Sequence, residues 1–199
     1  MNYIPTILLY SRLVFTLVII LLSFVHVPYS NIIVLSLMHL GVISDIFDGI
    51  IARKLNISTQ DFRVQDTLFD LSFYLSIVYF IYQFKPDVIA DNIILISGIL
   101  TLEASMYLIS LIRFQKLPSP HDIGSKFWAL YLLVEFSLLL LKQSGIHFTI
   151  ALSIGLLVHF NRVLIYILLK KWDHDIPTAY HAVLLRKGLP IKRFKLFNG

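Results

Sequence analysis

The chain has 199 residues, 57% of them hydrophobic, and a mean hydropathy of +0.79, well above the roughly 45–50% apolar content of a soluble globular domain. It is therefore read as an all-α integral membrane protein. The absence of cysteine excludes disulfides and thiolate metal sites. The formal net charge of +5 is read as a membrane-topology signal, and no nucleic-acid partner is expected.

In chain order, apolar runs long enough for a bilayer core of about 30 Å fall at 4–24, 31–52, 67–84, 92–112, 126–141 and 146–169. These predict six transmembrane helices with short loops and leave no room for a separate soluble domain. The first run resembles a signal peptide only in position. It carries a single early Arg12 and no small-residue cleavage site, so it is read as retained. The second run contains Asp45, Asp48 and Gly49 and ends at Ala52, Arg53 and Lys54; Asp61 and Arg63 then fall in what reads as a solvated loop. The third run is led by Asp66 and contains Asp70, and Pro86 marks a short outer loop behind it. The fourth holds Glu103 and ends near Arg113. Pro118, Ser119 and Pro120 separate it from the fifth, which begins at Lys126 and contains Glu135. The sixth holds His159, Asn161 and Arg162, with the first two read as helix-to-helix hydrogen-bonding residues. The expected organisation is a six-helix catalytic domain over 1–170 and a basic cytoplasmic tail over 171–199, in which Arg186, Lys187, Lys192, Arg193 and Lys195 alternate with apolar residues.

With the N terminus cytoplasmic, Arg12, Arg53, Lys54, Arg63, Arg113, Lys116, Lys126 and the tail share one side, while Lys85 and Lys142 lie opposite. By the positive-inside rule both termini face the cytoplasm. The aspartates lie on that side too.

A carboxylate in a membrane span costs at least a few kcal/mol, so four close together require a compensating cation. Asp45 and Asp48 are three residues apart and Asp66 and Asp70 four apart, which puts each pair on one helix face. Two such faces opposed make an oxygen-rich cage of the kind hard divalent cations prefer. Gly49 and Ala52 let a ligand approach the backbone, or else serve helix packing. Arg53, one turn after Gly49, offers a planar fork of donors to a phosphate. Asp70 is placed to close the cage and to take the proton of an attacking alcohol.

The segment from Ser44 to Asp70, SDIFDGIIARKLNISTQDFRVQDTLFD, resembles the signature of the CDP-alcohol phosphotransferases, DxxDGxxAR followed by GxxxDxxxD. Asp45, Asp48, Gly49, Ala52, Arg53, Asp66 and Asp70 match; the second glycine is replaced by Phe62, whose ring is expected at the substrate site, where it blocks the donor, stacks on its base or turns toward lipid. The resemblance implies a membrane enzyme of phospholipid synthesis that uses two Mg²⁺ or Mn²⁺ ions. Its four aspartates would be metal ligands and Asp70 the general base, with a CDP-linked lipid donor, an alcohol acceptor and CMP as product. It also implies a homodimer, and a phosphate-contacting role for Gly124 and Lys126 in the loop SPHDIGSK, which reads equally well as a helix start.

Counted at about 1.5 Å per residue, Glu103, Glu135 and Arg162 lie roughly 12 to 15 Å below their cytoplasmic helix ends. This predicts a polar cavity in which Arg162 meets a glutamate or an acceptor phosphate; a structural salt bridge is the plainer reading. Competing functions are an ion transporter with intramembrane acids, a Mg²⁺-dependent prenyltransferase, and an inactive relative serving as a scaffold.

Overall fold

The computed structural model of the chain describes residues 3–25, 27–55, 57, 59–141 and 146–192. Lys142, Arg193 and Lys195, assigned above to an outer loop and to the basic tail, lie outside the described residues. Among the described residues there are eight helices and no strand: α1 Ile4–Phe24, α2 Ser30–Lys54, α3 Gln60–Phe84, α4 Pro86–Asp91, α5 Ile93–Phe114, α6 Ile123–Leu140, α7 Ile146–Leu168 and α8 Ala179–Arg186. Six of them, all but α4 and α8, are long and apolar enough to cross a membrane. Large side chains such as Leu17, Leu21, Ile112 and Leu157 point outward on these helices. A hydrocarbon surrounding accepts them without penalty, because lipid tails are as apolar as leucine.

The third helix begins seven residues earlier than the hydropathy pattern implies. The side chain of Thr59 accepts the amide of Phe62 at 3.2 Å, and Asp61 occupies the first turn, where a carboxylate complements the helix dipole. Asp61 and Arg63 are thus helical rather than part of a solvated loop, and Arg63 is buried. Pro86 opens α4, its fixed φ and missing amide suiting a first helical position.

The chain divides into two compact units. The first comprises Met1–Asp91 and Leu132–Phe148. In it α1 packs along both α2 and α3. Leu9, Ala52 and Phe62 form the apolar contact of these three helices, with Ile57 and Phe69 against them. Farther along, Gly41 admits the ring of Phe73: a Cβ there would stand 2.3 Å from Cζ. Asn31 Nδ2 donates to the Leu140 carbonyl at 3.0 Å, tying the start of α2 to the end of α6.

The second unit comprises Asn92–Tyr131 and Thr149–Gly199. Its core is Met106, Val163, Ile165, Tyr166, Leu169, Ile176 and Ala182. Arg113 donates to the carbonyls of Tyr166, Ile167 and Leu169 at 2.6, 2.5 and 2.8 Å, satisfying acceptors that the end of α7 leaves open. The chain after Lys170 folds back on the linker that follows α5. Trp172 Nε1 donates to the Leu117 carbonyl at 2.9 Å, and the amides of Asp175 and Ile176 donate to the carbonyls of Ser119 and Pro120. Asn161 Oδ1 then accepts the first amide of α8, from Ala179, at 3.0 Å.

Candidate functional site

The spacing that puts Asp45 and Asp48 on one face of α2, and Asp66 and Asp70 on one face of α3, aims both pairs at the same point. That point is filled from α1. The guanidinium of Arg12 touches all four carboxylates: Nη1 donates to Asp45 Oδ1 at 3.1 Å and to Asp70 Oδ1, and Nη2 donates to Asp48 Oδ2 at 2.6 Å and Asp66 Oδ1 at 2.5 Å. Arg12 is fully buried, and so is the Asp48 side chain, with Asp66 nearly so. The other two acids form an open rim, their side chains being 41% exposed at Asp45 and 29% at Asp70. A ligand can reach the cage from that side alone among the four acids.

One guanidinium cannot balance four carboxylates once they are ionised, so the cage can still take up cations. Single oxygens of Asp45, Asp48 and Asp66 lie within 4.8 Å of one another, a spread compatible with ligands at the usual 2.0–2.6 Å or so from one divalent ion. Asp48 Oδ1 is buried and accepts no hydrogen bond, an acceptor that a hard cation would satisfy. The donor set is entirely carboxylate oxygen, as Mg²⁺ and Mn²⁺ favour. These residues fit a divalent metal site.

The neighbouring small residues separate into two kinds. Ala52 is fully buried against Leu9 and Phe62, so it serves helix packing. Gly49 does not: a Cβ there would meet nothing closer than Arg53 Nη1 at 3.4 Å, an ordinary contact. Arg53 therefore lies back along α2 over Gly49, next to the acids on the same helix. Phe62, standing where the resemblance calls for glycine, is only 9% exposed and fills the apolar contact between α1, α2 and α3.

Lys126 and Arg162 belong to the second unit. There Arg162 Nη1 donates to Glu103 Oε2 at 2.9 Å and lies 3.3 Å from His159 Nε2, while Nε is 3.6 Å from Asp122 Oδ2. Of the two partners foreseen for Arg162, the structure supplies the glutamate. His159 Nδ1 is 2.8 Å from the Gly155 carbonyl; donating there leaves Nε2 as acceptor for the arginine. Asp122 Oδ1 accepts the Ser125 amide at 3.1 Å, which makes the loop before α6 a capped helix start. Glu135 is buried in the first unit.

The sequence reading missed Arg12 as part of the site and used it only to orient the first span. The signal is in the sequence: an arginine inside an otherwise apolar helix needs anions, and the four aspartates of the next two spans need a compensating cation. Asp122 was likewise overlooked, since its loop position gave no hint that it closes on Arg162.

A family model for CDP-alcohol phosphatidyltransferases matches residues 2–168. No curated protein and no solved structure matches the chain.

Proposed function

The chain belongs to the CDP-alcohol phosphatidyltransferase family, and from that premise we propose that it moves a phosphatidyl group, or a comparable substituted phosphoryl group, from a CDP-linked lipid such as CDP-diacylglycerol to an alcohol, releasing CMP. The observation that carries this reading is the convergence of Asp45, Asp48, Asp66 and Asp70 on one point between α1, α2 and α3. Four carboxylates repel a diphosphate unless cations stand between them. Two Mg²⁺ or Mn²⁺ ions held by these acids would neutralise the diphosphate and polarise the reacting phosphorus.

The chain's own residues supply the remainder. The buried Asp48 and Asp66 form the floor of the cage, and Asp45 and Asp70 form its open rim, where the donor's diphosphate would enter. Arg53, beside Gly49, is placed to hold a phosphate oxygen. Asp70 accepts the proton of the alcohol as its oxygen bonds to the lipid-side phosphorus. The bond from that phosphorus to the oxygen bridging the two phosphates then breaks, and the oxygen leaves with CMP. Gly49 leaves room for the donor against the helix backbone. An active site facing the cytoplasm suits such a donor, whose acyl chains stay in the bilayer while the nucleotide remains wet. The excess of Lys and Arg on that side supports the orientation. A homodimer is part of this proposal and rests on the family resemblance alone.

The test is product analysis. Purified protein in detergent micelles is given Mn²⁺, deuterated CDP-diacylglycerol and a panel of alcohols that includes glycerol phosphate, inositol phosphate, serine and choline. Mass spectrometry should find the deuterated phosphatidyl group on at least one of them. A panel with no deuterated product and no CMP would overturn the proposal and favour a transporter or a scaffold.

A further inference from the structure

We infer that Arg12 is a tethered internal cation that competes with divalent ions for the four aspartates and so sets the metal affinity of the site; this rests on the reading of the cage as a metal site. The Arg12 guanidinium is fully buried, and its two terminal nitrogens spend their donors on Asp45, Asp48, Asp66 and Asp70. Its Nε has no partner, so every hydrogen bond the head group makes is to an acid of the cage. Three of its partners, Asp45, Asp48 and Asp66, are the residues whose carboxylate oxygens converge within 4.8 Å of one another.

An oxygen that directs a lone pair at an N–H about 2.6–3.1 Å away cannot direct the same lone pair at a metal about 2.0–2.6 Å away in the centre of the cage. Asp48 keeps Oδ1 for an ion, but the oxygens of Asp45, Asp66 and Asp70 that Arg12 engages serve an ion only as the guanidinium gives them up. Binding an ion there requires the guanidinium to withdraw, wholly or from some of the acids, and the energy of that withdrawal opposes the ion. The charges permit the exchange. A divalent ion carries twice the charge of the guanidinium and, where the four acids are ionised, is attracted to them more strongly at the same distance. The arginine is nevertheless useful, since it holds four mutually repelling carboxylates in register from a third helix before any ion arrives. Arginine suits this better than lysine because its planar fork reaches several carboxylates at once.

Competition of this kind has a signature that a purely structural ion pair lacks: removing the arginine should tighten metal binding. The experiment measures Mn²⁺ binding to the full-length chain in micelles by the electron paramagnetic resonance signal of free Mn²⁺, comparing wild type, Arg12→Gln and Arg12→Lys. Size-exclusion profile and helical circular dichroism establish that each is folded. Arg12→Gln is expected to bind Mn²⁺ about tenfold to a hundredfold more tightly than wild type, the range of an ordinary coupling between two ligands. Arg12→Lys, with a single compact ammonium, is expected to fall between them, and it carries the test if Arg12→Gln does not fold. Unchanged or weaker binding in the folded variants would overturn the inference while leaving the proposed transferase reaction intact. Mn²⁺ bound by Arg12→Gln but not by wild type would support the inference and count against catalysis by the natural chain. If no form binds Mn²⁺, the inference and the metal-assisted reaction both fall.

Discussion

Replacing Asp48 by asparagine should stabilise this protein while ending its use of metal. Asp48 is fully buried, its Oδ2 is 2.6 Å from Arg12, and its ligand oxygen lies within 4.8 Å of those of Asp45 and Asp66. At an effective dielectric near 20, two like charges about 4.8 Å apart repel by about 3 kcal/mol, and a carboxylate and guanidinium centred about 4 Å apart attract by about 4 kcal/mol. Asp48→Asn removes two such repulsions and one such attraction, a net gain of about 2–3 kcal/mol in chelator. For a chain of this length that corresponds to a rise of about 5–10 °C in melting temperature. The same change removes a ligand charge, so the stabilisation that Mn²⁺ confers on wild type by binding the folded state should shrink or vanish. The assay is thermal unfolding in micelles at mildly alkaline pH, with EDTA and then with Mn²⁺. If Asp48→Asn melts below wild type in EDTA, the cage is not an over-full cluster of negative charge and the electrostatic reasoning is wrong.

Asp70→Asn should abolish CMP release yet retain part of donor binding, because three acids remain to hold an ion while the base is lost; Arg53→Ala should weaken donor binding first. A titration in which Asp70→Asn loses donor binding along with turnover would remove the case for a separate base. Phe62→Gly should cost about 3–5 kcal/mol of stability, as is usual for emptying a buried aromatic site, since the ring packs on Leu9 and Ala52. Its donor affinity should change without activity arising anew, and unchanged thermal stability would show that the ring is not held by that cluster. Arg162→Met leaves Glu103 and Asp122 buried without their cation and should destabilise by about 3–5 kcal/mol. Paired Glu103→Gln and Asp122→Asn changes in the Arg162→Met background should restore much of that loss, and their failure to do so would deny the pairing.

Hydropathy alone located the six long helices, because a bilayer-length apolar run is a strong and local signal. The four aspartates were equally legible: their spacing of three and four residues fixes a shared helix face before any partner is known. What escaped was tertiary. Nothing local says that Arg12 crosses from α1 to meet acids of α2 and α3, and only counting charges that need partners would have raised the question. The start of α3 was misplaced because a helix entering at Thr59 begins with polar residues that hydropathy discounts, while the cap that defines it is a single side-chain hydrogen bond. Phe62 misled for a related reason, since a ring replacing a glycine suggests blocking the donor, stacking on its base or turning toward lipid, and packing between helices is none of these. Its burial with Leu9 and Ala52 is a matter of three helices meeting. The course of residues 171–192 depends on amides pairing with the carbonyls of Ser119 and Pro120, which leaves no trace in composition.

The most direct measurement of the account is CMP release from CDP-diacylglycerol by purified wild type and by Asp66→Asn, each with Mn²⁺ and with EDTA, across the alcohol panel. The metal-cage account predicts CMP only from wild type with Mn²⁺ and an acceptor present. Equal release by Asp66→Asn, or undiminished release in EDTA, would contradict it.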